Sequence, residues 1–104
     1  MKTGRLAGKR WFVDENGVRN ELFYYLTEEK KEKESFYGII VLKMAGNLIE
    51  TENTGKLTAK KEKALEIIEL LSRNTITPVC LCEVIDDLFT EMEQSSQFHE
   101  KILA

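Results

Sequence analysis

SFYGIIVLKM, residues 35–44, is the stretch that decides the fold, because it is apolar on both of its alternating faces. Phe36, Gly38, Ile40, Leu42 and Met44 alternate with Tyr37, Ile39, Val41 and Lys43. Successive side chains of a strand point to opposite sides, so two largely apolar sets mark a central strand. The chain is therefore expected to build a sheet around residues 36–42.

The flanking segments supply its neighbours. Ala45-Gly46-Asn47 reads as a turn, and Leu48–Asn53 as a more polar edge strand. Upstream, Trp11-Phe12-Val13 and Val18–Thr27 flank Asp14-Glu15-Asn16-Gly17, whose Asn-Gly favours positive φ and a hairpin. In the second of these strands Leu22, Tyr24 and Leu26 point one way, and Phe23 and Tyr25 the other. EEKKEKE (residues 28–34) has no apolar residue with which to dock on a core, and is expected to be an exposed hairpin loop into which the strand ends can extend.

The period then changes. In LTAKKEKALEIIELLSRN, Ala64, Leu65, Ile68 and Leu71 fall at helical spacing, and Ile67 and Leu70 widen the stripe. Thr58 is the expected N-cap, and Asn74 suits the left-handed position after the helix. A second helix opens at once: Ile76, Thr77 and Pro78 match N′, N-cap and N1, and Leu81 can meet Ile76 as a hydrophobic staple. Leu81, Val84, Ile85, Leu88, Phe89 and Met92 form its buried stripe. The fold class is α+β: an antiparallel meander of three or four strands, followed by a C-terminal helical hairpin packed on one sheet face. The 104 residues make a single domain. It divides into a flexible basic arm (1–8), the meander (9–54), a two-helix hairpin (58–94) and a tail (95–104) that either frays or extends the last helix.

Composition narrows the function classes. A net charge of −3 gives no overall cationic field for nucleic acid or anionic membrane. No apolar run is long enough to span a bilayer, and Leu6-Ala7-Gly8 is too short for the core of a signal peptide. Two cysteines do not make a disulfide framework, so a reducing cytoplasm fits.

Those cysteines are the strongest chemical candidates. Residues two apart on a helix are separated by about 200°. Cys80 and Cys82 therefore flank the stripe on opposite sides and cannot grip one metal ion. The sole histidine, His99, lies in the tail. Cys80 sits in the first helical turn, where backbone N–H groups favour a thiolate, which makes it the candidate reactive thiol. No catalytic, cofactor-binding or metal-binding residues are expected. The second helix carries Glu83, Asp86, Asp87, Glu91 and Glu93 and no base, which is repulsive in a DNA groove.

Two helices cover one face of a small sheet. Phe12, Phe23, Tyr25 and Tyr37, with Ile39 and Val41, are the candidate interface residues on the other. Either a partner covers that face, or the arm or the tail, with Phe98, Ile102 and Leu103, folds back over it. The expected function is a non-enzymatic cytoplasmic protein–protein interaction module, with a homodimer as one form. A nucleic-acid-associated protein using the basic arm (Lys2, Arg5, Lys9, Arg10) is the alternative, and a ligand-binding domain with a pocket between sheet and hairpin is a third.

SFYGIIVLK and residues 57–89 together resemble a family of short uncharacterised Firmicutes proteins consisting of a single domain of unknown function. The resemblance rests on Tyr37-Gly38-Ile39, on Leu70, Leu71 and Asn74, and on Thr77-Pro78. It implies the fold and no activity or cofactor. Where members resemble PIHL after the proline, this chain has Pro78-Val79-Cys80-Leu81, with Cys80 in place of the histidine.

Overall fold

A computed structural model describes the backbone of residues 2–103 and the side chains of residues 3–90. The elements are β1 (Lys2–Val13), β2 (Arg19–Lys31), β3 (Glu34–Ala45), β4 (Leu48–Asn53), α1 (Lys61–Arg73) and α2 (Pro78–Leu103). The strands form one antiparallel meander in the order β1-β2-β3-β4. Both helices pack on the same face: Leu22, Tyr24, Leu26, Ile39 and Val41 meet Ala64, Ile67, Ile68 and Leu71 of α1 and Leu81 and Ile85 of α2 in one core. The expected architecture is the one found, with four strands.

Its details differ from expectation where the signal is backbone chemistry rather than apolar pattern. Residues 2–8 are not a loose arm but the outer half of β1, paired with Tyr24–Glu29 of β2. Gly4 and Gly8 hide this strand from any hydrophobicity count. Gly8 lies under α1, where a Cβ would make ordinary contacts with Ser72 at 3.5 Å and Ile68 at 3.6 Å. The charged segment 28–34 is likewise mostly strand, closed by a tight turn at Glu32-Lys33 with Glu32 at φ 60°. In the first hairpin only Gly17 takes positive φ, and Asp14 organises the turn. Its carboxylate accepts the Asn16 and Val18 N–H groups and the Asn20 side-chain amide. These bonds, that from Val18 foremost, hold the Asp14 carboxyl below its ordinary range.

Helix ends also shift. Thr58 does not cap α1, because its backbone is held in a bridge to Tyr37 and the helix starts three residues later. Of the expected α1 stripe, Leu65 and Leu70 are exposed, and Ala64, Ile67, Ile68 and Leu71 carry the burial. At the other end Asn74 is the C-cap at φ −95°, and Thr75 takes the left-handed position at φ 54°. The N–H groups of Ile76 and Thr75 bond to the carbonyls of Leu71 and Ser72, the paired bonds of a Schellman motif. In α2, Leu81 and Ile85 are buried and Val84, Leu88 and Phe89 pack against them, while the Met92 side chain lies outside the described residues.

The turn between the helices is pinned to the sheet. Tyr24, fully buried, donates its hydroxyl to the Ile76 carbonyl at 2.8 Å. Arg10 Nε donates to the Ser72 carbonyl at 3.0 Å. Burial pushes the Tyr24 phenol up to about 12.

Two predictions follow from these ends. A β-branched residue held left-handed costs about 1–2 kcal/mol, so Thr75→Gly should raise unfolding free energy by about 1 kcal/mol in urea titrations. An unchanged or lowered midpoint would refute that strain. Tyr24→Phe should cost about 1–3 kcal/mol, because it leaves the Ile76 carbonyl without its partner. The Tyr24 pKa is higher folded than unfolded, so its contribution is complete below pH 10 and is lost as pH rises from about 10 to about 12. The gap between wild type and Tyr24→Phe should therefore narrow across that window, and a pH-independent gap would contradict the assignment.

Candidate functional site: the open face of the sheet

Because directly opposed residues share a face, the register fixes what the helix-free side displays. Four cross-strand rows succeed one another along it. The first is Trp11, Glu21, Met44 and Ile49; the second Lys9, Phe23, Leu42 and Thr51; the third Leu6, Tyr25, Ile40 and Asn53. The fourth is Gly4, Thr27 and Gly38, and beyond it Glu29 faces Phe36. No described residue covers the first three rows, whereas the Gly55 carbonyl lies on Gly38 in the fourth and Lys56 over Phe36 beyond it. Trp11 is 57% exposed and Ile49 61% exposed, whereas Phe23, Tyr25, Ile40 and Leu42 are half-buried by one another.

The structure therefore divides the six candidate interface residues. Phe23 and Tyr25 lie on the open face. Ile39 and Val41 are fully buried beneath the helices, and Phe12 and Tyr37 pack against that same core. The alternation in β3 was legible, but its phase was not. Which set faces the helices depends on the register set by the Glu32 turn, and a non-glycine residue at positive φ gives no sequence signal. Trp11, Leu6, Phe36, Ile40, Leu42, Met44 and Ile49 are the open-face residues that the sequence reading missed. Lys43, which belongs to the same alternating set as Ile39 and Val41, points the wrong way, because a lysine ordinarily marks the solvent side of a strand.

Basic side chains border the patch by lying over its rings. Arg19 sits 4.4 Å from the Trp11 ring centre, Lys56 5.1 Å from Phe36 and Lys9 5.4 Å from Phe23. Such cations stay close to aromatic surface without being desolvated, at about 0.5–1 kcal/mol each. Arg19 also pairs with Glu21 at 3.6 Å and Lys56 with Glu29 at 3.9 Å. The N-terminal positive charges do not form one patch, since Lys9 lies on the open face and Arg10 bonds to the Ser72 carbonyl on the helix side.

Two recesses lie near the Tyr37 end. One, of about 250 Å³, is lined by Thr27, Glu29, Phe36, Tyr37, Gly38, Gly55 and Lys56 and opens on the aromatic face. The other, of about 120 Å³, lies between the sheet and the start of α1, among Thr3, Arg5, Leu26, Glu28, Tyr37 and Lys61. Beside it the Tyr37 hydroxyl donates to Glu28 Oε2 at 2.9 Å, and that bond to a carboxylate raises the Tyr37 pKa. Cys80 and Cys82 are both exposed and free on α2. Among the described residues no group of three or more His, Cys, Asp or Glu side chains is placed to hold a metal ion. Among them too, no helix is long and apolar enough to cross a membrane. The tail residues Phe98, Ile102 and Leu103 lie outside the described side chains.

The profile of a family of unknown function, DUF6514, matches residues 4–91. The chain belongs to this family. The match takes in the whole open face and both helices as far as the described part of α2. No curated protein and no solved structure shows significant similarity.

Within this DUF6514 chain the Tyr37-Gly38-Ile39 segment has a clear structural task. After β4 the chain bulges at Thr54–Lys56, and the Gly55 carbonyl lies directly on Gly38, where any Cβ would overlap it. Ile39 N–H donates to Thr54 Oγ1 and Ile39 O accepts from Thr54 N–H, both at 2.9 Å. Leu57 N–H donates to the Tyr37 carbonyl at 2.8 Å, and Tyr37 N–H to the Thr58 carbonyl at 2.7 Å. Gly38→Ala should displace this connector and cost about 1–3 kcal/mol, as overpacking does. Gly4→Ala, where a Cβ meets open space, should cost under about 1 kcal/mol. Thermal melts of the two variants check the pair, and equal losses would contradict the placement of the connector.

Proposed function

We propose that the chain is a non-enzymatic protein–protein interaction module whose contact surface is the open face, and that a second copy of the chain is its first candidate partner. One observation carries this reading. Within three successive rows, exposed Trp11, Met44, Ile49 and Leu6 adjoin half-buried Phe23, Leu42, Tyr25 and Ile40, and no described segment covers them. Soluble chains seldom leave an adjoining apolar patch of that extent without a partner, and aromatic residues with bordering arginine are the composition of contact surfaces. The module acts in the cytoplasm, where two exposed thiols stay reduced.

Site-specific photo-crosslinking in cells tests the reading. A photo-reactive residue replacing Leu42 in the middle of the open face should give discrete protein adducts. The same residue replacing Glu83, exposed on α2, should give few. An adduct of twice the chain mass identifies self-association, and one of another mass a different protein. Equal, diffuse labelling from both positions would overturn the proposal.

A further inference from the structure

Resting on that reading of the open face, we propose that its partner is a second copy, packed face to face about a two-fold axis that lies in the plane of the face and runs across the strands. Such an axis reverses the order of the rows. With its centre at the level of Tyr24, between the second and third rows, the first row of one copy meets the fourth row of the other.

Those two rows are complementary in size. The first presents Trp11, more than half exposed, and Met44. The fourth has Gly4 on β1, so the bulk of Trp11 faces an absence of side chain on β1 of the other copy, while on β3 Gly38 lies buried under the Gly55 carbonyl. The space over Gly4 is open, and the row leads into the recess of about 250 Å³ beside Phe36 and Gly55.

Polar groups match under the same operation. Arg19, one row beyond the first on β2, meets Glu29. The middle rows bring Phe23 over Tyr25 and Leu42 over Ile40. A face made complementary to itself by one rotation is what a closed two-chain assembly needs, and an unrelated partner would not impose this reciprocity.

The area is also sufficient. Four strands about 4.8 Å apart, over roughly ten residues at 3.3 Å each, present about 600–800 Å² per copy, close to the per-partner area of a standard stable interface. Stacked sheets lie about 10 Å apart and cross at about −30°, so interdigitated side chains fill the gap.

Trp11 is the only tryptophan in the chain, so it reports on its own surroundings. The purified full chain is followed by sedimentation velocity, Trp emission and iodide quenching over a range of concentrations. The expected result is a two-chain species whose formation blue-shifts the emission and lowers quenching severalfold. Gly4→Phe, which fills the hollow from a position free of intramolecular contact, should weaken dimerisation at least tenfold. Arg19→Glu should weaken it to a similar degree, and Arg19→Glu combined with Glu29→Arg should restore it.

A dimer whose Trp11 stays fully quenchable, and which neither variant perturbs, would overturn this geometry. A single-chain mass at every concentration would overturn the choice of partner. Adducts from Leu42 to a protein of another mass would in that case leave the open face standing as a contact surface, which separates the two failures. Circular dichroism of Gly4→Phe establishes that it folds, and the charge exchange supplies the test if it does not.

Discussion

Two helices can shield one face of a four-stranded sheet and no more, and the rest of this molecule follows from that constraint. The chain places its helical hairpin on one side and secures it there through buried Tyr24, whose hydroxyl reaches the Ile76 carbonyl between the helices. Arg10 adds a second tie, to Ser72, at the rim. Once the hairpin is fixed over Leu22, Tyr24, Leu26, Ile39 and Val41, the opposite side chains of the same strands are committed to the other face. Those side chains are nonetheless large and apolar.

The two faces thus have separate duties. Residues on the helix side supply the burial that stabilises the fold, at about 25 cal/mol per Å² of apolar surface removed from water. Open-face residues gain only what their neighbours shield. The connector from β4 to α1 belongs to the first duty. It turns back along β3 by laying the Gly55 carbonyl on Gly38, and so brings α1 over the sheet. Strain is accepted at the far end of α1, where Thr75 holds a left-handed conformation so that Ile76 can both close the helix and receive Tyr24.

Much of this was legible in the sequence, for identifiable reasons. Alternation of period two marked β2 and β3, Asp14–Gly17 marked a hairpin, and Pro78 marked the start of α2, because each signal is carried by side-chain type. What escaped was carried by the backbone. The outer half of β1 pairs through glycine and basic residues that no apolar count detects. Glu32 and Thr75 take positive φ where Gly or Asn is the usual sign. The Glu32 turn had the larger consequence, because it sets the β2–β3 register. Without that register, Ile39 and Val41 were assigned to the open face, when they lie in the core and Ile40 and Leu42 are displayed.

We propose that the open face serves association and not folding. The most direct measurement is the solution mass of wild type and Leu42→Lys by sedimentation equilibrium, with the melting temperature of each. A two-chain mass is expected for wild type and a single-chain mass for Leu42→Lys, with melting temperatures of the dissociated chains within a few degrees of one another. A two-chain mass retained by Leu42→Lys, or a single-chain mass for wild type throughout, would contradict it.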